Sequence, residues 1–243
     1  MSNATYYRTE IQRIFRNRQN FLFSLLLPFV LYLFIAGNNR TARIGELSLP
    51  TYFMAGMIAF GGMGAVMGGG ARIALEREQG WTRQLRISPL TSRTYFSGKL
   101  LGCYLTAACT IGLMYAGGVA LGVRMPVGRW IEMTALILLS LVPFAALGIM
   151  LGHLVKADAM GPAMGGGMSL LSIFGGAFGE IGGPGSWVHG ISEFVPSYWT
   201  VQAGHVAVGG DAWGARGWLT TAAWSALTIY GAVWAYRRDT GRA

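Results

Sequence analysis

Residues 47–71 have the sequence LSLPTYFMAGMIAFGGMGAVMGGGA, which contains no Asp, Glu, Lys or Arg. A helix rises 1.5 Å per residue, so about 20 residues cross the roughly 30 Å hydrocarbon core of a bilayer. Backbone in lipid must satisfy its own hydrogen bonds, which restricts such runs to helices. Five further stretches without these four residue types meet or approach this length: Gln19–Asn39, Leu100–Val123, Met133–Val155, Ala159–Gly179 and Gly217–Tyr236. We therefore predict an all-α polytopic membrane protein with six transmembrane helices.

The overall composition supports this fold class. Of the 243 residues, 53% are hydrophobic and only 12% are charged, about half the charged fraction of a soluble domain. A net charge of +9 would suit nucleic acid, but the basic residues lie between the apolar stretches and not on one soluble surface. We therefore expect a single membrane domain over residues 1–243, with no nucleic-acid partner.

The distribution of basic residues predicts the orientation. With the N-terminus placed in the cytoplasm, fourteen of the 19 Lys and Arg residues fall on the inner side and five on the outer side. Cytoplasmic connections of membrane proteins carry the excess of Lys and Arg. We therefore predict a multi-pass protein of the plasma membrane with both termini in the cytoplasm.

The first 20 residues predict a short amphipathic helix at the membrane interface. They hold four arginines and no small-residue cleavage site, which argues against a removable signal peptide. At helical spacing Arg8, Gln12, Arg13 and Arg16 share one face, and apolar residues form the other. A simple topology signal would explain the arginines but not that apolar face, formed by Tyr7, Ile11, Ile14 and Phe15.

The connection Arg72–Lys99, RIALEREQGWTRQLRISPLTSRTYFSGK, is far longer than two helices need to reconnect. We predict that the second span continues as a helix through Glu78 and breaks at Gly80. After the break, Thr91 or Ser92 is placed to cap the returning helix, because short hydroxyl side chains favour that position.

A second short helix is expected inside this connection, from Trp81 to Ile87, with Ser88-Pro89 ending it. Trp81 and Leu85 lie four residues apart and share a face, so together they suit a groove in a partner protein. The alternative is an ordinary basic loop without a partner.

The same connection resembles the cytoplasmic loop of type-2 ATP-binding-cassette (ABC) exporter permeases. That family has an acidic pair, a glycine, a leucine five residues later, and then Thr/Ser-Pro-Leu/Val. The resemblance implies a coupling helix that seats in an ATP-binding subunit. It places the coupling residues at Glu76, Glu78, Gly80, Trp81, Leu85, Arg86, Ile87, Ser88, Pro89 and Leu90.

The connection before the last span, residues 178–216, is long and rich in aromatic residues. We predict one short helix ended by Pro196 and a second from Tyr198 to Val208, which resemble the re-entrant helices of the same family. Glu180 and Glu193 are either functional groups near membrane depth or carboxylates in outer water. The expected outer gate consists of Phe178, Glu180, Phe194, Tyr198 and Trp199.

Two segments that mix Gly with Met, Met63–Gly70 and Met160–Met168, indicate either tight helix packing or a flexible wall beside a passage. The family resemblance implies that spans one, two and five form this wall. The candidate pathway residues on these spans are Phe23, Met54, Met57, Met63, Met67, Met164, Met168 and Phe174.

The sequence lacks the phosphate loop G-x-x-x-x-G-K-[ST], so this chain is not expected to be an enzyme. We expect no cofactor of its own, with ATP and magnesium bound by an ATP-binding subunit. The histidines His153, His189 and His205 show no ligand spacing, so no metal site is predicted.

The resemblance as a whole implies the permease subunit of an ABC exporter that pairs with a second permease copy or paralogue. The uncharged spans suggest a hydrophobic or amphipathic cargo, such as a drug, an antibiotic or a lipid-like molecule. The alternatives are an ATP-independent secondary transporter or channel, which needs polar groups within its spans, and a scaffold protein.

Overall fold

The computed structural model describes residues 3–16, 18–80, 91–179, 186–210 and 212–241. Helices make up most of these residues, which confirms an all-α fold. In chain order they are α1 (Asn3–Arg16), α2 (Arg18–Gly37), α3 (Leu49–Glu78), α4 (Ser92–Ala120), α5 (Val127–Ser140), α6 (Val142–Leu154), α7 (Ala157–Phe174), α8 (Trp187–Ser192), α9 (Pro196–Val206) and α10 (Ala215–Gly241). A two-stranded antiparallel ribbon, β1 (Arg43–Ile44) and β2 (Leu47–Ser48), connects α2 to α3.

Each of the six apolar stretches lies on helix, but the fourth and fifth differ from the prediction. The fourth is divided at Leu141 into α5 and α6, because Pro143 at the start of α6 has no N–H to continue the helical hydrogen bonds. The fifth ends at Phe174, and Gly176 follows with a positive φ of +73°. Among the described residues, three helical segments are long and apolar enough to cross a membrane: Leu49–Glu78, Arg93–Ala120, and Val127–Leu154, which is α5 and α6 taken together.

Helix α3 is the centre of the bundle and packs against α2, α4, α6, α7 and α9. Glycines allow the closest of these approaches. A Cβ built on Gly152 of α6 would lie 2.6 Å from the carbonyl oxygen of Gly70, and a Cβ on Gly148 would lie 2.8 Å from the Cα of Met67. Since side chains cannot occupy such gaps, α3 and α6 cross with their backbones in direct contact.

Large apolar side chains cover the outside of the bundle, as expected for a protein in lipid. Phe34 on α2 is 71% exposed, and Tyr230 and Leu219 on α10 are 73% and 69% exposed. Exposed large apolar side chains also occur on α4, α5 and α7, so they are not confined to one helix. The fold therefore agrees with the membrane-protein class predicted from composition.

Candidate functional site

The candidate site lies at the end of the bundle where α3 ends and α4 begins, which we call the coupling end. Helix α3 continues through Glu78 as predicted, and Gly80 then takes a positive φ of +73°. Thr91 is the N-cap of α4, and its Oγ1 accepts a hydrogen bond from the Thr94 backbone N–H at 3.2 Å. The connection therefore has two helical arms, as predicted: the end of α3 through Glu78 and the start of α4 after Thr91.

The predicted short helix itself lies outside the described residues. This applies to seven of the ten predicted coupling residues: Trp81, Leu85, Arg86, Ile87, Ser88, Pro89 and Leu90. Of the other three, Glu78 is exposed at the end of α3, and Gly80 forms the turn after it. Glu76 is instead part of an ion cluster with residues of α1 and α4.

A buried ion cluster joins three helices at the coupling end. The Lys99 Nζ of α4 lies 2.7 Å from Glu10 Oε1 of α1 and 2.5 Å from Glu76 Oε1 of α3. The side chains of Lys99 and Glu10 are only 2% and 3% exposed. The Arg13 Nη1 approaches Glu76 at 3.8 Å, so two cations balance two carboxylates. Tyr95 completes the cluster by donating its hydroxyl hydrogen bond to Glu76 Oε2 at 3.3 Å.

The Lys99–Glu10 ion pair at the centre of this cluster is a costly arrangement, because both side chains are buried. Removing buried charges from water carries a large penalty, which their mutual attraction offsets only with good geometry and further hydrogen bonds. Loss of one partner leaves an uncompensated buried charge and costs about 3–5 kcal/mol. Glu76 therefore has a role inside the chain, and its predicted contact with a partner stays a prediction.

Two tyrosines of α1 make additional contacts with the first turns of α4. The Tyr6 hydroxyl donates to the Tyr95 carbonyl oxygen at 3.4 Å, and the Tyr7 hydroxyl lies 2.7 Å from Ser97 Oγ. Burial raises the pKa of Tyr6, which keeps its hydroxyl protonated as a donor. A Cβ on Gly98 would lie 2.5 Å from the Tyr6 ring, so a glycine is needed at this contact.

The buried face of α1 differs from the predicted apolar face. Among the described side chains of α1, those of Tyr6 and Glu10 are buried, while those of Tyr7 and Ile11 are only half-buried. The side chains of Ile14 and Phe15 lie outside the described residues, and so does that of the pathway residue Phe23. The helix itself is confirmed, and its place at the membrane interface stays a prediction.

A second charged cluster lies on the other side of the end of α3. The Arg77 Nε is 2.9 Å from Asp239 Oδ2 of α10, and the Arg77 Nη1 donates to the Gly152 carbonyl oxygen at 3.0 Å. The Nδ1 of His153 lies 3.0 Å from the same Asp239 oxygen. Two consecutive residues of α3, Glu76 and Arg77, thus bind α1 and α4 on one side and α6 and α10 on the other.

The predicted pathway residues divide into two groups. Met54, Met57, Met63 and Met67 are at most 1% exposed, so they belong to the core of the single chain. Three others lie on α7, where Met164 and Met168 are half-buried and Phe174 is exposed. The structure does bring the two Gly- and Met-containing segments together, because the Met168 methyl group packs over Gly64. A role in transport stays a prediction for all of them.

At the opposite end of the bundle, the expected short helices are present as α8 and α9. Pro196 begins α9 and does not end the first helix as the sequence predicts, because that helix stops earlier at Ser192. A proline suits the first turn of a helix, since its missing N–H would have no helical partner there. Glu180 lies outside the described residues, and Glu193 forms an ion pair with Arg216.

Tryptophan side chains hold this opposite segment in place. The Nε1 of Trp199 donates to the Glu193 carbonyl oxygen, and that of Trp224 donates to the Phe194 carbonyl oxygen, each at 2.8 Å. Of the other predicted gate residues, Phe178 packs against Phe60 and Tyr198 is half-buried. Their action as a gate stays a prediction.

The sequence reasoning missed the main members of both clusters, namely Glu10, Lys99, Arg77 and Asp239. One signal was available, because Glu10 is the only acidic residue in the basic first 20 residues. It also falls on one helical face with Tyr6 and Arg13. Its lysine partner, 89 residues away, could not be identified from local pattern.

Comparisons with known proteins agree with this architecture. Residues 35–236 match the family model described as "ABC-2 family transporter protein", which covers most of the chain. A Bacillus subtilis (strain 168) protein named "Putative transport permease YvfS" is 26% identical over 191 residues, 78% of each chain. No solved structure matches this chain. The chain belongs to the ABC-2 transporter family and is a membrane permease of that family.

Proposed function

We propose that this permease is the transmembrane subunit of an ATP-driven exporter, with ATP bound and hydrolysed by a separate subunit. ABC-2 permeases normally work with an ATP-binding subunit. The observation that carries the proposal is the coupling end, where both arms of the 72–99 connection are fixed to neighbouring helices by charged contacts. A segment anchored in this way can pass movement of a bound partner into the bundle.

The connection between the arms is the proposed contact with the ATP-binding subunit. Trp81 and Leu85 would insert into a groove of that subunit, as an aromatic and aliphatic anchor on one helical face. Movement of the groove would then displace the ends of α3 and α4 together. The chain would act as a pair with a second permease copy or paralogue, because a two-fold arrangement closes on itself.

In this proposal the chain crosses the plasma membrane six times, with both termini and the coupling end in the cytoplasm. Three helical segments meet the length and composition needed for a span, and α2, α7 and α10 would supply the others. The excess of basic residues on the same side as the 72–99 connection supports this orientation. Helices α8 and α9 would then lie at the outer face.

The proposed cargo is hydrophobic or amphipathic, as for a drug, an antibiotic or a lipid-like molecule. The described charged clusters lie at the coupling end, and the six apolar stretches themselves contain no Asp, Glu, Lys or Arg. A secondary transporter is the second candidate, but it would bind its coupling ion through polar groups near mid-membrane. Because the six apolar stretches contain no charged residue, an ATP-driven exporter is the better supported of the two candidates.

Co-purification tests the proposal. The permease is expressed with an ABC ATP-binding protein from the same genome, and the double variant Trp81→Ala/Leu85→Ala is compared with wild type. The matched control is Trp218→Ala/Leu219→Ala, which removes the same two residue types from an exposed position on α10. We expect the ATP-binding protein to be lost only with the first variant. Equal retention by all three proteins would refute the assignment of the coupling segment.

A further inference from the structure

We propose that Lys99 is a positioning residue that joins α1 to the coupling end, so that α1 and the adjoining ends of α3 and α4 move as one body. The inference rests on the proposed function, since it concerns how movement from the ATP-binding subunit spreads through the permease. It assigns a role to three side chains, Lys99, Glu10 and Glu76.

The position of Lys99 supports this role. It lies near the start of α4, close to the returning arm of the coupling segment, whereas Glu76 lies near the end of the other arm. A single ammonium group at 2.7 Å and 2.5 Å from two carboxylates therefore ties both arms to Glu10 of α1. Movement of either arm then displaces α1 as well.

The buried ion cluster is better suited to fixing the relative position of the helices than to stabilising their interface. Apolar side chains of similar size would stabilise a packed interface at least as well as a buried ion cluster. Charged partners are instead directional, and any sliding of α1 along α4 would leave a buried charge without its counter-ion. The hydroxyl contacts of Tyr6 and Tyr7 with α4 restrict the same sliding motion.

Spin-label distance measurements test this without any ATP-binding subunit. Labels are attached to cysteines introduced for Arg8 on α1 and Arg93 on α4, both of which are exposed. The native Cys103 and Cys109 are replaced by alanine, and the full chain is placed in lipid nanodiscs. We expect one narrow distance peak in the wild-type background and loss of that peak with Lys99→Met.

Two further variants make the result specific. Lys156→Met removes the other lysine of the chain, which is exposed, and should keep the narrow peak. Glu10→Gln keeps the side-chain shape and should broaden the distribution even if Lys99→Met fails to fold. A narrow peak in both cluster variants would overturn the proposal.

A crosslink then tests transmission in the complex with the ATP-binding subunit. In the same cysteine-free background, Tyr7→Cys and Ser97→Cys are joined by a short bifunctional methanethiosulfonate reagent. If α1 and α4 move as one body, the linked complex hydrolyses ATP at the same rate as the unlinked Tyr7→Cys/Ser97→Cys complex, and the link restores the rate that Lys99→Met loses. Inhibition on linking, or no restoration, would contradict the inference. Failure of the wild-type complex to assemble would instead refute the proposed function, and the distance measurement would still decide the role of Lys99.

Discussion

Replacement of Gly152 by valine tests the close crossing of α3 and α6 at the coupling end. A Cβ at this position would lie 2.6 Å from the Gly70 carbonyl oxygen and 3.0 Å from the Gly70 Cα. Real Cβ atoms essentially never approach closer than 3.0 Å, and both obstacles are backbone atoms that no rotamer change can move. The two helices therefore have to separate, and the packing around them loosens.

The expected cost follows from overpacking, which destabilises by about 1–3 kcal/mol. Glycine and valine differ by only a few tenths of a kcal/mol in helix propensity, so the steric contribution dominates. Because the obstacle is backbone, we expect a value near the upper end, about 2–3 kcal/mol. The Arg77 hydrogen bond to the Gly152 carbonyl oxygen would be displaced at the same time.

The matched control is Gly68→Val on α3, where a Cβ would meet nothing within 4 Å. Its free energy of unfolding should stay within about 0.5 kcal/mol of wild type. Reversible unfolding in mixed micelles of lipid-like detergent and dodecyl sulfate measures both variants. Equal stability of Gly152→Val and Gly68→Val would refute the reasoning that backbone contact defines this crossing.

Two further predictions follow from the charged clusters and the orientation. Asp239→Asn removes the charge that Arg77 and His153 share, and we expect a loss of about 1–3 kcal/mol in the same unfolding assay. The control Asp158→Asn changes an exposed carboxylate and should have little effect, so equal losses would count against the cluster. Alkaline phosphatase inserted in the β1–β2 turn should be active outside the cell, and inactive when fused between α6 and α7. Activity at the second position would contradict the predicted orientation.

The sequence was most informative where local chemistry determines structure. Uninterrupted apolar runs predicted the main helices, and Gly80 and Thr91 marked the ends of the coupling segment because a positive φ and an N-cap each favour particular residues. The Gly- and Met-containing segment Met63–Gly70 was less informative about which glycine makes the close contact. Gly68 faces open space, whereas Gly70 forms the closest crossing, since helix rotation is fixed only by the assembled bundle.

Long-range pairing could not be predicted from one chain. The motif predicted Glu76 as a coupling residue, which stays a prediction, but it gave no indication that Glu76 pairs with Lys99 and Tyr95. Asp239 reaches Arg77 only because α10 packs along α6. Both contacts depend on the relative placement of helices that lie far apart in the sequence, which no local periodicity encodes.

The most direct test of ATP-driven export measures ATP hydrolysis by the reconstituted complex. The ATP-binding protein that co-purifies with the permease is assayed alone, with the wild-type permease in nanodiscs, and with the Trp81→Ala/Leu85→Ala permease. We expect the wild-type permease to change the rate of hydrolysis and the variant to lose this effect. A rate that is the same with and without the permease would contradict the claim that this chain is the membrane subunit of an ATP-driven exporter.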